Sequence, residues 1–259
     1  MGSVWQLTVG HGPLVATAIH DGHATREEIE KLFVLSHADR LREEDPFTGQ
    51  WATIGDTQII GLRSRFEVDL NRPREKAVYL MPEDAWGLKV WKTPLPLALM
   101  SQSLAQYDAF YASVKQTLTT LKNRFGRFVV FDLHSYNHRR SGPDGPPANP
   151  EQNPEVNVGT HIIDRTFWGP LVDRFMGDLR AYDFLGRYLD VRENVKFQGG
   201  HFPRWIQQNF PQSGCAIAIE FKKFFMDEWT GQPDPIQVAA IRQALQSTIP
   251  GVLEELKKL

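Results

Sequence analysis

The stretch FVVFDLHSYNHRR, residues 128–140, passes from an apolar run directly into a cluster of polar and charged side chains. A short apolar run of this kind is typical of a buried β-strand. Because side chains alternate between the two faces of a strand, Asp132 and His134 are predicted to share one face. His134 would then lie at the carboxyl end of the strand, where open α/β sheets place their binding sites.

Two other apolar runs end in the same manner. Residues 14–19 (LVATAI) lead directly to His20, and residues 216–221 (AIAIEF) contain Glu220 near their end. Segments with helical spacing of apolar side chains lie between these runs, for example residues 104–121. The alternation of strand-like and helix-like segments predicts an α/β fold.

Composition excludes several classes of protein. The 259 residues include 29 Lys and Arg against 31 Asp and Glu, and the net charge of −2 gives no support for a general nucleic-acid or membrane-surface binder. The single cysteine, Cys215, excludes an intramolecular disulfide framework and a cysteine-rich metal cluster. Any metal site must therefore use the eight histidines and carboxylates.

The chain is expected to form one domain over residues 1–259. It lacks the pattern of a secretory signal and any apolar run of about 18 residues, so we expect a cytoplasmic protein. Residues 141–157 (SGPDGPPANPEQNPEVN) contain five prolines and are predicted to form a long irregular loop. A loop of this kind is either functional or a tolerated insertion, and its place after the richest polar cluster favours a cover for the site.

Histidines at the ends of the first two runs are the candidate metal ligands. Neutral imidazole ligates zinc directly, which makes His20, His23 and His134 candidates. Asp132 would support a ligating histidine by accepting a hydrogen bond from its other ring nitrogen. The structural alternatives are a solvated loop with one capping histidine and an ordinary buried aspartate at the end of a strand.

Glu220 is the candidate general base. A carboxylate at the rim of an apolar strand is suited to take a proton from a water molecule activated by a metal. The structural alternative is an ion pair with Lys222 or Lys223, which follow it directly.

Two charged segments lie between the histidine clusters. REEDPFTG (residues 42–49) offers three carboxylates to a metal, and SRFEVDLNRPR (residues 64–74) places arginines around a predicted alternating strand at 66–70. The pair Asn71 and Arg72 at the end of that strand could hold an acidic substrate group. The alternative is a surface ladder of ion pairs between the arginines of residues 63–74, chiefly Arg63 and Arg74, and the carboxylates Glu67 and Asp69.

The ordered set IHDGH, REEDPFTG, SRFEVDLNRPR, FDLHSYNHRR, LDVRENVKFQGG and AIEFKKFFMDEWTG resembles the N-formylglutamate amidohydrolase family over most of the chain. The wider group is similar to the zinc carboxypeptidases and the aspartoacylases. This resemblance implies a zinc-carboxypeptidase-like (phosphorylase/hydrolase-like) fold, with a mixed, mostly parallel central sheet and helices on both faces.

The resemblance also implies roles for individual residues. His20 matches the first zinc ligand and His134 the last, and Glu220 matches the general base. The middle ligand is expected to be Glu44, with Asp45 and His23 as open alternatives. Asn71 and Arg72 match the pair that binds a substrate carboxylate, and Arg65 matches the arginine that stabilises the oxyanion.

The implied function is a zinc-dependent hydrolase that cleaves the amide bond of an acidic N-acylamino acid. N-formyl-L-glutamate, cleaved to formate and glutamate in histidine catabolism, is the expected substrate. Other divalent metals are compatible with the same ligands. The expected partner is a small molecule, not a nucleic acid or a membrane, and the sequence leaves the oligomeric state open. Two alternatives are a metallocarboxypeptidase-like peptidase and a catalytically silent binder of an acidic metabolite.

Overall fold

The computed structural model describes residues 3–259, so that Met1 and Gly2 of the predicted domain lie outside the described residues. The strands that form its central sheet are β1 (Trp5–Thr8), β2 (Leu14–Ala18), β3 (Thr57–Gly61), β4 (Phe128–Tyr136), β5 (Val156–Gly159), β6 (Val191–Glu193) and β7 (Gly214–Lys222). They are ordered β1-β3-β2-β4-β7-β5-β6. The pairs β1–β3 and β5–β7 are antiparallel and the other pairs are parallel. The predicted mixed, mostly parallel sheet is confirmed.

The helices lie on both faces of the sheet, as predicted. They are α1 (Glu27–Glu30), α2 (His37–Glu43), α3 (Thr48–Ala52), α4 (Leu97–Phe125), α5 (Arg165–Ala181), α6 (His201–Asn209) and α7 (Pro235–Lys258), with 3-10 helices at Arg74–Lys76 and Pro82–Ala85. Apolar side chains of α3, α5 and α7 pack on one face, and those of α4 and α6 pack on the other. Within residues 3–259, every helix is too short or too polar to span a bilayer.

Strand β4 shows how the sheet positions polar groups. All of its residues are buried, and Phe131 and Leu133 enter the core beneath α5 and α7. Val130 faces the α4 and α6 side. Farther along this same face, the side chains are those of Asp132 and His134 instead of apolar residues. The polar side chains of β4 therefore begin where its packing against the helices ends.

The predicted strand at residues 66–70 is a series of turns. The backbone N–H groups of Glu67 and Val68 donate to the carbonyl of Ser64 at 3.0 and 3.3 Å, within the segment itself. Alternation does not separate buried from solvated residues here, because Glu67 and Asp69 are as fully buried as their apolar neighbours. The interpretation as a surface ladder is therefore wrong for both carboxylates.

The proline-rich segment is irregular, but it ends earlier than predicted. Val156 and Asn157 belong to β5, where they pair with Phe221 and Glu220 of β7. Lysines from two other segments hold the end of the loop at Asn153. Lys222 Nζ donates to its carbonyl at 3.0 Å and Lys196 Nζ donates to its side-chain oxygen at 2.5 Å.

Candidate active site

Three buried side chains from distant parts of the chain meet at the carboxyl edge of the sheet. His20 follows β2, His134 lies in β4, and Asp45 lies two residues after α2. Asp45 Oδ2 is 2.9 Å from His134 Nδ1 and 3.4 Å from His20 Nδ1. The candidate ligand atoms of the three residues all lie within 4.8 Å of one another, a spacing that a single metal ion could span.

A carboxylate lies on the outer side of each imidazole. His20 Nε2 is 2.7 Å from Asp69 Oδ1, and His134 Nε2 is 3.0 Å from Asp132 Oδ2. Asp132 thus lies beside His134 as expected, but within residues 3–259 neither His134 Nε2 nor Asp132 Oδ2 has a partner in hydrogen-bonding geometry. Both Nδ1 atoms face Asp45, and among residues 3–259 the buried Nδ1 of His20 has no hydrogen-bond partner. Two imidazoles flanked by outer carboxylates, together with one inner carboxylate, fit a divalent metal such as zinc.

The inner carboxylate is kept ionised by its neighbours. Burial alone would raise the pKa of Asp45, but the hydrogen bond with His134 and the proximity of the His20 imidazole hold it well below the usual range. An ionised carboxylate between two imidazoles is the form that a cation requires.

The side chain of Asp45, and not that of Glu44, points toward His20 and His134. Glu44 directly follows α2 and has an extended backbone, which directs the side chains of successive residues to opposite sides. Its carboxylate contacts His23 Nδ1 at 2.7 Å and accepts a hydrogen bond from the Ser64 hydroxyl. Of the two acidic candidates for the middle ligand, Asp45 and not the preferred Glu44 is therefore the one whose carboxylate lies beside His20 and His134. His23 is paired with Glu44 and also lies outside the cluster.

Glu220 lies beside His134, because these two residues are paired in the register of β4 and β7. It lines the same pocket, and no residue in 3–259 donates a hydrogen bond to its carboxylate. Burial raises the pKa of Glu220 to about 7, although the neighbouring His134 acts in the opposite direction. A carboxylate with these properties can accept a proton and release it again near neutral pH.

Asp69 organises one wall of the pocket. In addition to His20, its carboxylate accepts hydrogen bonds from Arg65 at 2.8 Å, from the backbone N–H of Asn71 at 2.8 Å, and from the Tyr79 hydroxyl. Burial would raise the pKa of Asp69, but Arg65 and His20 hold it well below the usual range. Sequence reasoning missed this role, since it considered Asp69 only as a partner in a surface ion pair.

Asn71 and Arg72 lie on the same wall. The Asn71 side-chain oxygen accepts a hydrogen bond from the backbone of Phe202 at 2.8 Å, at the start of α6, which directs the amide. Gly200 is required beside it, because a Cβ there would lie 2.3 Å from that oxygen. Arg72 is partly exposed, and its guanidinium carbon is 5.9 Å from the centre of the Trp86 ring.

One pocket of about 350 Å³ lies at the centre of the site. The pocket contains every predicted site residue except Glu44, namely His20, Arg65, Asn71, Arg72, His134 and Glu220, and it adds Asp45. No residue of the described segment 141–157 lines it, so the loop does not form the predicted cover. Of the charged residues that follow β4, Arg140 lines the pocket, whereas His138 and Arg139 line a neighbouring depression.

The model of the N-formylglutamate amidohydrolase family matches residues 12–226. The chain belongs to this family. It is therefore an amide-cleaving hydrolase, as the resemblance of its motifs predicted. No curated protein matches its sequence.

Solved structures share the fold at low sequence identity. An N-formylglutamate amidohydrolase from Ralstonia eutropha JMP134 is 18% identical, with a TM-score of 0.76 over 99% of this chain and 100% of that one. A gene product from Agrobacterium tumefaciens is 16% identical, with a TM-score of 0.70 over 99% of this chain and 97% of that one. A metallo-carboxypeptidase from Burkholderia cenocepacia gives a TM-score of only 0.39.

One residue outside the predicted set fixes another part of the pocket of this amidohydrolase. The side-chain oxygen of Asn157 accepts hydrogen bonds from the backbone N–H groups of Lys196 and Phe197, at 2.8 and 3.3 Å. Its amino group donates to the Phe197 carbonyl at 2.8 Å. Phe197 lines the pocket, so Asn157 positions its wall from β5. A lone asparagine at the end of a proline-rich stretch gave no signal for this in the sequence.

Proposed function

We propose that the chain is a zinc-dependent hydrolase that cleaves the amide bond of an acidic N-acylamino acid. N-formyl-L-glutamate, hydrolysed to formate and glutamate, is the proposed substrate. The observation that supports this most directly is the buried group of His20, Asp45 and His134 beside the carboxylate of Glu220, which accepts no hydrogen bond from residues 3–259. Membership of the N-formylglutamate amidohydrolase family supports the choice of substrate.

In this proposal His20, Asp45 and His134 hold the metal. A zinc ion bound there would supply a Lewis acid and would lower the pKa of a water molecule from its bulk value to about 7. Glu220 takes a proton from the attacking water and delivers it to the leaving amine. Arg65 donates hydrogen bonds to the carbonyl oxygen as negative charge develops on it.

Asn71 and Arg72 orient the substrate. Its carboxylate accepts hydrogen bonds from the amino group of Asn71 and from the guanidinium of Arg72. Because the Asn71 oxygen is already bonded to Phe202, the amide can present only its N–H groups to the carboxylate. Fixing the carboxylate holds the scissile amide near Glu220 and removes much of the entropic cost of the reaction.

The role of Glu220 is tested by formate release from N-formyl-L-glutamate with zinc supplied. We expect Glu220→Gln to lower kcat by about 10²- to 10⁴-fold, because general acid–base catalysis contributes that much. Zinc content should not change, since Glu220 lies outside the ligand group. Undiminished turnover would show that the general base is another group. Release of C-terminal residues from peptides would instead indicate a peptidase, and binding without turnover a silent binder.

The metal ligands are tested by a matched pair of neighbouring substitutions. We expect Asp45→Asn to lose stoichiometric zinc, measured by elemental analysis after dialysis. Glu44→Gln should retain it, because its carboxylate contacts His23 and Ser64 instead of the histidine pair. Loss of zinc from Glu44→Gln with retention by Asp45→Asn would reverse the proposed ligand assignment.

A further inference from the structure

The pocket has polar lining that the proposed reaction does not use. Asn137, Arg140 and Lys223 all face it. The ammonium of Lys223 already donates to the carbonyls of Arg42 and Glu44, at 2.6 and 2.7 Å. Of these three residues, Asn137 and Arg140 are therefore the ones with more capacity for a ligand.

Asn137 is a buried amide without a partner. It follows His134 by three residues, and only 4% of its surface is exposed. Its side-chain oxygen is buried, and neither end of the amide hydrogen-bonds to a residue of the described part of the chain. The enclosed oxygen could be satisfied only by a donor, so the amino group is the end of this pocket-lining amide that can donate to an acceptor on a ligand.

Arg140 lies on the same stretch and is held more loosely. Its side chain is 58% exposed, and its Nη1 and Nη2 atoms donate to the carboxylate of Glu43 at 3.2 and 3.0 Å. A guanidinium has five N–H donors, so this contact leaves donors for a second carboxylate. Arginine is also the side chain best suited to bind a carboxylate through two parallel hydrogen bonds.

We propose that Asn137 and Arg140 form a second carboxylate subsite, which makes the pocket selective for dicarboxylic substrates. For the reaction itself this inference rests on the proposed function. One carboxylate of the substrate binds Asn71 and Arg72, and the other accepts hydrogen bonds from the Asn137 amino group and the Arg140 guanidinium. The second carboxylate belongs either to the amino-acid side chain, as in N-formyl-L-glutamate, or to the acyl group, as in an N-succinyl amino acid.

Kinetics with paired substrates test the subsite and distinguish these sources. N-formyl-L-glutamate is compared with N-formyl-L-glutamine, and N-succinyl-L-alanine with N-butyryl-L-alanine, with zinc supplied. In the pair whose carboxylate reaches the subsite, we expect Arg140→Ala to reduce the preference for the dicarboxylate by about tenfold or more, mainly through KM. Arg140→Lys should restore part of it. Asn137→Ala should reduce the preference in the same direction.

Arg139→Ala is the matched control, because it removes the same charge at the adjacent position while its side chain faces the neighbouring depression. It should leave the preference unchanged. If Arg139→Ala lost as much of the preference as Arg140→Ala, the effect would come from the loss of positive charge in general, and the subsite would be wrong. Equal changes for both members of each pair in Arg140→Ala would overturn it as well.

Binding without turnover separates this inference from the proposed function. Calorimetry measures the affinity of the zinc-loaded protein for glutarate and for butyrate. We expect wild-type protein to prefer glutarate and Arg140→Ala to lose that preference. If no acylamino acid is hydrolysed, but wild-type protein still prefers glutarate to butyrate and Arg140→Ala does not, the proposed function fails and the subsite stands. If wild-type protein and Arg140→Ala prefer glutarate equally, the subsite is wrong.

Discussion

Two walls of the pocket use the same pairing of arginine with a buried carboxylate in different ways. In the Asp69 wall (Arg65, Asp69, Asn71, Arg72 and Tyr79), the side chain of Arg65 is 11% exposed and Asp69 has further partners. In the Glu43 wall (Glu43, Asn137 and Arg140), Arg140 is mostly exposed, and its hydrogen bonds within residues 3–259 go to Glu43. Burial and the number of shared partners therefore decide how firmly an arginine is held. The first wall is organised before a ligand arrives, and the second can exchange partners.

Removing the centre of the Asp69 wall should have the largest effect. We expect Asp69→Ala to lower the free energy of unfolding by about 3–5 kcal/mol, because Arg65 would be left as a buried unpaired charge. Zinc affinity should fall by about 10- to 100-fold, since His20 loses the carboxylate that orients it. Urea unfolding and competition with a chelator measure the two quantities. A variant with wild-type stability would show that this network does not organise the wall.

Asp69→Asn is the control that separates shape from charge. It keeps the volume of the side chain and can still accept from Asn71, but it no longer neutralises Arg65. We expect a loss of stability smaller than that of Asp69→Ala. Equal losses would mean that the charge, and not the hydrogen-bonding geometry, provides the whole effect.

A buried lysine supports the segment between the two walls. Lys223→Met removes the donors to the carbonyls of Arg42 and Glu44, which precede the proposed ligand Asp45. We expect unfolding to become easier by about 1–3 kcal/mol, because two buried carbonyls lose a charged donor. Zinc affinity should weaken as well. Lys222→Met, at the preceding position, loses the hydrogen bond to the Asn153 carbonyl and should retain zinc with wild-type affinity.

The edge of the sheet where the site forms could be predicted from the sequence. Apolar runs lead to His20, His134 and Glu220, and the carboxyl ends of parallel strands meet at one edge. Strand alternation also predicted that Asp132 would share a face with His134, since period-two geometry requires nothing beyond local structure. These inferences depend on the chain alone and therefore succeeded.

The choice between Glu44 and Asp45 could not be made in the same way. Both are acidic and adjacent, and the direction of each side chain depends on the extended backbone after α2 and on the distant partners His23 and Ser64. Asp69 was missed for a related reason. An alternating polar pattern is the same for a solvated strand and for a buried turn whose carboxylates find cationic partners.

Loosening the Glu43 wall should have a small effect on stability and a specific effect on binding. We expect Glu43→Gln to lower the free energy of unfolding by at most about 1 kcal/mol, because Arg140 is largely solvated and the pair is screened. Affinity for glutarate should increase, since the guanidinium is released from its competitor. Urea unfolding and calorimetry measure these changes. A stability loss as large as that of Asp69→Ala would remove the distinction between the walls.

Arg74→Ala should have the smallest effect of the series. Arg74 belongs to the same charged segment as Arg65, and it also makes two hydrogen bonds to one carboxylate, at 2.7 and 2.9 Å from Asp108. Both partners are exposed, however, so water can replace each of them when the pair is broken. We expect no measurable change in the urea midpoint or in zinc content. If Arg74→Ala lowered the urea midpoint as much as Asp69→Ala, the geometry of an ion pair and not its burial would determine its contribution to stability. The contrast between the two walls would then lose its physical basis.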